Sequence, residues 1–172
     1  VGDYLYSRSF ELMVRVKNLR VMDILSHTTT QIAEGEVLQL LNCNNPETSE
    51  QKYLEVISRK TAILFSTAVQ LARLIAHVPE NVEQSLKAYG LHLGIAFQLI
   101  DDALDYRADP SELGKNLGDD LADGKPTLPL IYAMEHATAD EAKILRDAIE
   151  QGDREAFRQV YDVVQSTDAI DY

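Results

Sequence analysis

Gly94-Ile95-Ala96-Phe97-Gln98-Leu99-Ile100-Asp101-Asp102-Ala103-Leu104-Asp105 closes a long, mostly apolar segment with three carboxylates. At about 100° per residue, Leu86, Tyr89, Leu93, Phe97, Ile100 and Leu104 fall within one stripe about 80° wide. Leu91, Ile95 and Leu99 form a second stripe on another side. A helix apolar on most sides is expected to be buried. Gln98, Asp101, Asp102 and Asp105 share an arc of about 100°, with Gly90 and Gly94 above them on nearly the same line. The helix macrodipole disfavours anions at this end by roughly 0.3–1 kcal/mol each, and crowding three of them adds repulsion. A bound cation would relieve both. A solvated acidic surface is the plainer reading, and the rest of the chain has to separate the two.

Outward from this stretch the periodicity is helical throughout. It predicts helices over 2–17, 20–42, 49–77, 80–107, 126–137, 139–151 and 153–166. No strand alternation of useful length appears. Breaks fall at Asn42-Cys43-Asn44-Asn45-Pro46, at Val78-Pro79 and along the Gly-, Asp- and Pro-rich 108–125. Thr48 or Ser49 suits an N-cap, Pro79 a first helical turn, and Pro126 and Pro129 the start of a helix. The expectation is an all-α fold, one domain over 1–172, with 49–77 and 80–107 as two long buried helices.

Several polar residues fall on apolar faces. Tyr53, Ile57, Leu64, Leu71 and Ile75 share a stripe with Lys60, and Thr61 lies beside it. A lysine there is costly unless it snorkels to water, meets an internal carboxylate or binds a ligand anion. Glu36 and Gln39 share a stripe with Val21, Leu25 and Ile32; near a helix end they can also simply reach water. The run Gly114-Lys115-Asn116-Leu117-Gly118-Asp119-Asp120-Leu121-Ala122-Asp123-Gly124-Lys125-Pro126-Thr127 holds two Gly-Lys pairs and three more carboxylates. Glycines let backbone approach a ligand and lysine serves phosphate as a point charge, although capping aspartates in a polar turn are an ordinary alternative. Asp119, Asp120 and Asp123 repeat the Asp-Asp-x-x-Asp spacing in a loop and are not expected to be the primary metal ligands.

The chain has 172 residues, 45% of them hydrophobic, enough for a core. A net charge of −12 argues against nucleic acid as a partner. One cysteine, Cys43, gives no disulfide framework and suits a reducing, cytoplasmic compartment. No transmembrane segment is expected, since there is no 18-residue apolar run. Carboxylates, lysines and an apolar cavity fit together as a site for Mg²⁺, a diphosphate and a hydrocarbon tail, with Gly90 and Gly94 leaving room for the tail.

These features resemble the trans-type polyprenyl (isoprenoid) diphosphate synthases. Phe97–Asp105 resembles that family's second aspartate-rich motif, Lys60-Thr61 its diphosphate-binding Lys-Thr pair, and 114–128 its downstream lysine loop. Val1-Gly2-Asp3 resembles the start of the helix after the first aspartate-rich region, and Glu34-Gly35-Glu36-Val37-Leu38-Gln39-Leu40 reads like the octaprenyl-type members. The resemblance implies helices packed around a central cavity, a homodimer, and Mg²⁺-dependent 1′-4 condensation of isopentenyl diphosphate with an allylic diphosphate of the farnesyl type. It implies that Asp101, Asp102 and Asp105 bind Mg²⁺. Lys60, Lys115 and Lys125 would hold the diphosphate, and Thr61 and Gln98 would lie near the developing allylic cation. The chain starts without Met and ends without a capping signal, so it reads as the middle-to-late portion of such a synthase, and catalysis by this piece alone is not expected. A non-catalytic subunit of a heteromeric synthase and an acidic, all-helical interaction protein remain as alternatives.

Overall fold

The computed structural model describes residues 1–76, 78–107 and 118–172, and among these every regular element is helical. The helices are α1 (Gly2–Arg15), α2 (Leu19–Asn42), α3 (Glu50–Ile57), α4 (Ile63–Ile75), α5 (Glu83–Leu104), α6 (Asp119–Ala122), α7 (Leu128–His136), α8 (Ala139–Gln151) and α9 (Phe157–Ser166). Side chains set their starts. Asn18 accepts from the Arg20 N–H before α2, and Ser49 accepts from the Lys52 N–H before α3. Thr138 and Glu141 form a reciprocal capping box on α8. Pro79 precedes a 3₁₀ turn that leads into α5, and Pro129 sits in the first turn of α7. The expected helices at 2–17, 20–42, 126–137, 139–151 and 153–166 are present with small shifts at their ends, and α6 forms inside the span read as loop. No described helix is long and apolar enough to cross a membrane.

The span 49–77 is not one uniform helix. α3 and α4 are joined by a π-helical segment, Ser58–Ala62. A π turn takes up one more residue than an α turn, so every position beyond it rotates by about 100° relative to an unbroken helix. The predicted core stripe therefore fails beyond the π segment. Leu64 and Ile75 are 50% and 58% exposed, while Ala62, Ser66, Thr67 and Arg73 are buried. The buried polar groups find partners: Thr28 and Thr67 hydroxyls meet at 2.8 Å, and Arg73 pairs with Glu83 at 3.2 Å. Glu83 also receives Gln70 at 2.7 Å and Arg20 at 3.2 Å.

Two glycines allow neighbouring helices to close on the widened turn. A Cβ on Gly35 of α2 would lie 2.6 Å from the Lys60 backbone nitrogen, and one on Gly94 of α5 would lie 2.5 Å from the Ala62 Cα. At Gly90 a Cβ would lie 2.8 Å from the Phe65 carbonyl oxygen. The space at Gly90 is thus taken by the α4 backbone and that at Gly94 by the end of the π segment, and neither is left for a hydrocarbon tail, contrary to expectation.

The expectation of two long buried helices is also corrected. α5 buries Glu83, Gly90, Gly94 and Asp102, whereas Tyr89, Leu93, Phe97, Ile100 and Leu104 are exposed. The small residues, not the large apolar ones, face α4, because only they permit the close crossing. Ile95 and Leu99 of the second stripe pack on Tyr53, Ile57 and Ile131. The main core lies later in the chain, where Tyr106, Leu121, Leu130, Leu145, Ile149, Phe157, Val160 and Val164 join α6 to α9. Asn44 ties the two parts together. Its backbone N–H donates to the Gly124 carbonyl at 2.8 Å and its amide to the Ile149 carbonyl at 3.0 Å.

Two outcomes follow. Gly94→Ala loses about 1–3 kcal/mol in urea unfolding through overpacking, whereas Gly2→Ala, with nothing within 4 Å of the added carbon, loses none; equal stability of the two would contradict the close packing. The second concerns acid. Gln70, with Arg20 and Arg73, holds the Glu83 carboxyl below the ordinary range. Its stabilisation is therefore full above the unfolded-state value and is lost as pH falls through the folded one. Thermal midpoints of wild type and Glu83→Gln, well separated at neutral pH, converge in acid, while Glu34→Gln at an exposed pair shows little separation at any pH.

Candidate functional site

The π segment delivers Lys60 and Thr61 to a cleft of about 220 Å³, lined also by α2, α3, the end of α5 and the strand of chain around Asp120 to Thr127. Lys60 Nζ donates to Glu36 Oε2 at 2.7 Å and to Gln39 Oε1 at 2.5 Å. The two polar residues that stood out on α2 thus face the lysine that stood out on the next helix. Lys60 is not sealed in: its side chain keeps 33% exposure, and its carboxylate partner Glu36 is itself half exposed.

α5 contributes Gln98, Asp101 and Asp102. Thr61 Oγ1 donates to Gln98 Oε1 at 3.2 Å, and Gln98 Nε2 donates to Asp102 Oδ1 at 2.7 Å. Tyr53 Oη donates to Asp102 Oδ2 at 2.6 Å. Burial pushes the Asp102 carboxyl up to about 6 even though the Tyr53 and Gln98 hydrogen bonds pull it down. Burial, followed by the Asp102 charge, drives the Tyr53 hydroxyl well above its ordinary range. Asp101 is exposed at the cleft, with one long contact of 3.4 Å from Gln98.

Asp105 does not line the cleft. Its Oδ1 accepts from the Gly118 N–H at 3.3 Å, at the start of α6, and its Oδ2 is buried with no hydrogen-bond partner among the described residues. Burial, with the charge of Asp120 adding to it, raises this carboxyl too. Lys125 does reach the cleft, where it pairs with Asp120 at 3.0 Å and Asp123 at 2.7 Å. Burial alone would lower its basicity, but the hydrogen bonds to Asp123 and Asp120 outweigh burial and hold it above the ordinary lysine range. Lys115 lies outside the described residues.

The structure therefore gathers Lys60, Thr61, Gln98, Asp101, Asp102 and Lys125 around one cleft and leaves Asp105 beside it. It adds Tyr53 and Asp120. Tyr53 was visible as a member of the Lys60 stripe, without any sign of its hydroxyl's partner. The loop aspartates separate: Asp119 pairs with Arg154, Asp123 is largely exposed on Lys125, and Asp120 turns to the cleft. That division follows from the turns of α6, which the sequence pattern did not signal.

Among the described residues no three His, Cys, Asp or Glu side chains converge as a ready-made metal cage. The donors present suit a hard cation that brings its own waters. Mg²⁺ commonly uses one or two carboxylates with substrate phosphate oxygens completing the shell. An exposed Asp101 beside a buried Asp102 whose charge is disfavoured meets that description.

A polyprenyl synthetase family model matches residues 1–164. An octaprenyl diphosphate synthase of Haemophilus influenzae is 50% identical over all of this chain and 53% of its own length, and one of Escherichia coli is 46% identical over 54% of its length. The fold matches a decaprenyl diphosphate synthase from Rhodobacter capsulatus (TM-score 0.88, 43% identity, 99% of this chain and 53% of that one). It also matches a Caulobacter crescentus polyprenyl synthase solved with calcium and isoprenyl diphosphate (TM-score 0.89, 41% identity, 99% and 52%). The chain belongs to the polyprenyl synthetase family. It spans about half the length of the curated relatives it matches.

Proposed function

We propose that the chain supplies the allylic-diphosphate side of a prenyltransferase. The reaction is 1′-4 condensation of isopentenyl diphosphate with an allylic diphosphate of the farnesyl type, giving an all-trans polyprenyl diphosphate of octaprenyl type. The observation that carries this reading is the single cleft in which Lys60 and Lys125 meet Asp101, Asp102 and Asp120. Opposite charges of that number around one opening suit a ligand that is itself a metal–polyanion pair. The two octaprenyl-diphosphate-synthase relatives and the relative solved with calcium and isoprenyl diphosphate support the same class.

In this reading Lys60 and Lys125, with Lys115, hold the diphosphate and stabilise the charge it gains as the allylic C–O bond breaks. Asp101, with Asp102 and Asp105 nearby, would hold Mg²⁺, whose chemistry when bound is to neutralise phosphate charge. Glu36 and Asp120 occupy the two lysines until a ligand's phosphates replace them. Thr61 and Gln98 present oxygen dipoles toward the position of the allylic carbon. The isopentenyl double bond then attacks, and a proton is lost. The exposed apolar stripe Leu93, Phe97 and Ile100 offers a hydrocarbon chain an apolar surface to lie against. A homodimer is proposed on the exposed apolar side chains of α1 and α2, Leu5, Leu12, Val37, Leu40 and Leu41 among them. The lone Cys43 suits a reducing, cytoplasmic setting.

The test is thermal unfolding with Mg²⁺ and inorganic diphosphate. At about one hundred times Kd a bound ligand adds about 2.7 kcal/mol, or about 5–10 °C for a chain of this size. Asp101→Ala and Lys60→Ala remove the shift. No shift, or the same shift in both variants, would contradict the reading and favour an acidic helical interaction protein.

A further inference from the structure

We infer that Tyr53 is a positioning residue for the metal–diphosphate site, acting through Asp102. The inference rests on the reading above that the cleft takes a magnesium diphosphate.

Asp101 and Asp102 are neighbours, yet their surroundings divide them. Asp102 is 4% exposed and both its oxygens are already held, Oδ2 by Tyr53 at 2.6 Å and Oδ1 by Gln98 at 2.7 Å. Asp101 stands exposed at the opening. About 100° separates successive side chains on a helix, so fixing Asp102 against α3 fixes where Asp101 points. Tyr53 is itself 5% exposed and packed with Ile57, Ile131 and Leu99, so its hydroxyl is a rigid anchor.

The geometry of the rod strengthens this. Tyr53 in α3 and Thr61 inside the π segment lie eight residues apart, and they grip Asp102 and Gln98, which lie one turn apart on α5. In an unbroken α-helix residues i and i+8 diverge by about 80°, whereas i and i+7 nearly align. The wider π turn rotates less per residue, which brings the eight-residue interval close to the aligned one. The result is a four-residue bracket, Tyr53–Asp102–Gln98–Thr61, that sets the rotation of the α5 terminus against the segment carrying Lys60. Without the hydroxyl, Asp102 Oδ2 loses its donor, and a nearly buried carboxylate is free to swing toward Asp101 and the cleft.

Loss of such an outer partner of a metal site typically weakens metal affinity by 10–100-fold. The experiment is calorimetric titration of the 172-residue chain with inorganic diphosphate, with and without Mg²⁺. Tyr53→Phe is expected to keep its helical circular dichroism and to lower the ratio of the two affinities about tenfold. Tyr53→Phe and Asp102→Asn combined should lose less than the sum of the two single losses, because both remove one contact. A ratio equal to wild type, or equal losses with and without Mg²⁺, would overturn the inference while leaving the proposed function standing. Absence of any Mg²⁺-dependent binding by the wild type would overturn the function itself. If Tyr53→Phe does not fold, wild-type chain labelled at its aspartate carboxyl carbons decides. Mg²⁺ with diphosphate should move the Asp101 resonance and leave Asp102 nearly in place; a larger shift at Asp102 overturns the inference.

Discussion

The close crossing of a widened helical turn by two glycine-bearing helices is the constraint on which the rest of the structure depends. Ser58–Ala62 bulges where Gly35 and Gly94 leave no side chain in the way. That contact brings α2 and α5 to opposite flanks of the segment carrying Lys60 and Thr61. Glu36 and Gln39 then reach the lysine from one flank, and Gln98 reaches the threonine from the other. A π turn gives up regular hydrogen-bond geometry and persists where packing enforces it. Here the enforcing glycines sit one helical turn from cleft residues, Gly35 before Gln39 and Gly94 before Gln98.

The electrostatics of the cleft are balanced internally. Lys60 and Lys125 each have a carboxylate partner at the edge of the cleft. Pairs of this kind keep the cations in place without sealing them, since a polyanion with its metal can replace a carboxylate at similar electrostatic cost. Burial acts differently on the acidic motif. It disfavours charge on Asp102 and Asp105 and leaves Asp101 in solvent. A cation arriving at Asp101 therefore also eases the penalty on its neighbour.

Much of this was legible in the sequence. The helical class, the Ser49 cap and the odd polar residues Lys60, Glu36 and Gln39 follow from period and burial logic, and the last three do meet. What the sequence hid has a common cause. Periodicity assumes a constant turn, so the rotation beyond Ser58–Ala62 was invisible, and Leu64 and Ile75 were assigned inward when they face out. Apolar content likewise could not distinguish a helix that buries its large side chains from α5, which buries its glycines and exposes Leu93, Phe97 and Ile100. α6 is too short for a period to register, and with it went the turn of Asp120 into the cleft and of Asp105 toward Gly118.

A metal–diphosphate pair is proposed to bind between Asp101 on one side and Lys60 and Lys125 on the other. Anomalous diffraction from crystals of the chain grown with Mn²⁺ and inorganic diphosphate measures this directly. A metal peak is expected about 2.1 Å from an Asp101 carboxylate oxygen, as for octahedral oxygen ligation, with phosphate density against both lysines. A metal bound only elsewhere, or diphosphate density away from Lys60 and Lys125, would contradict it.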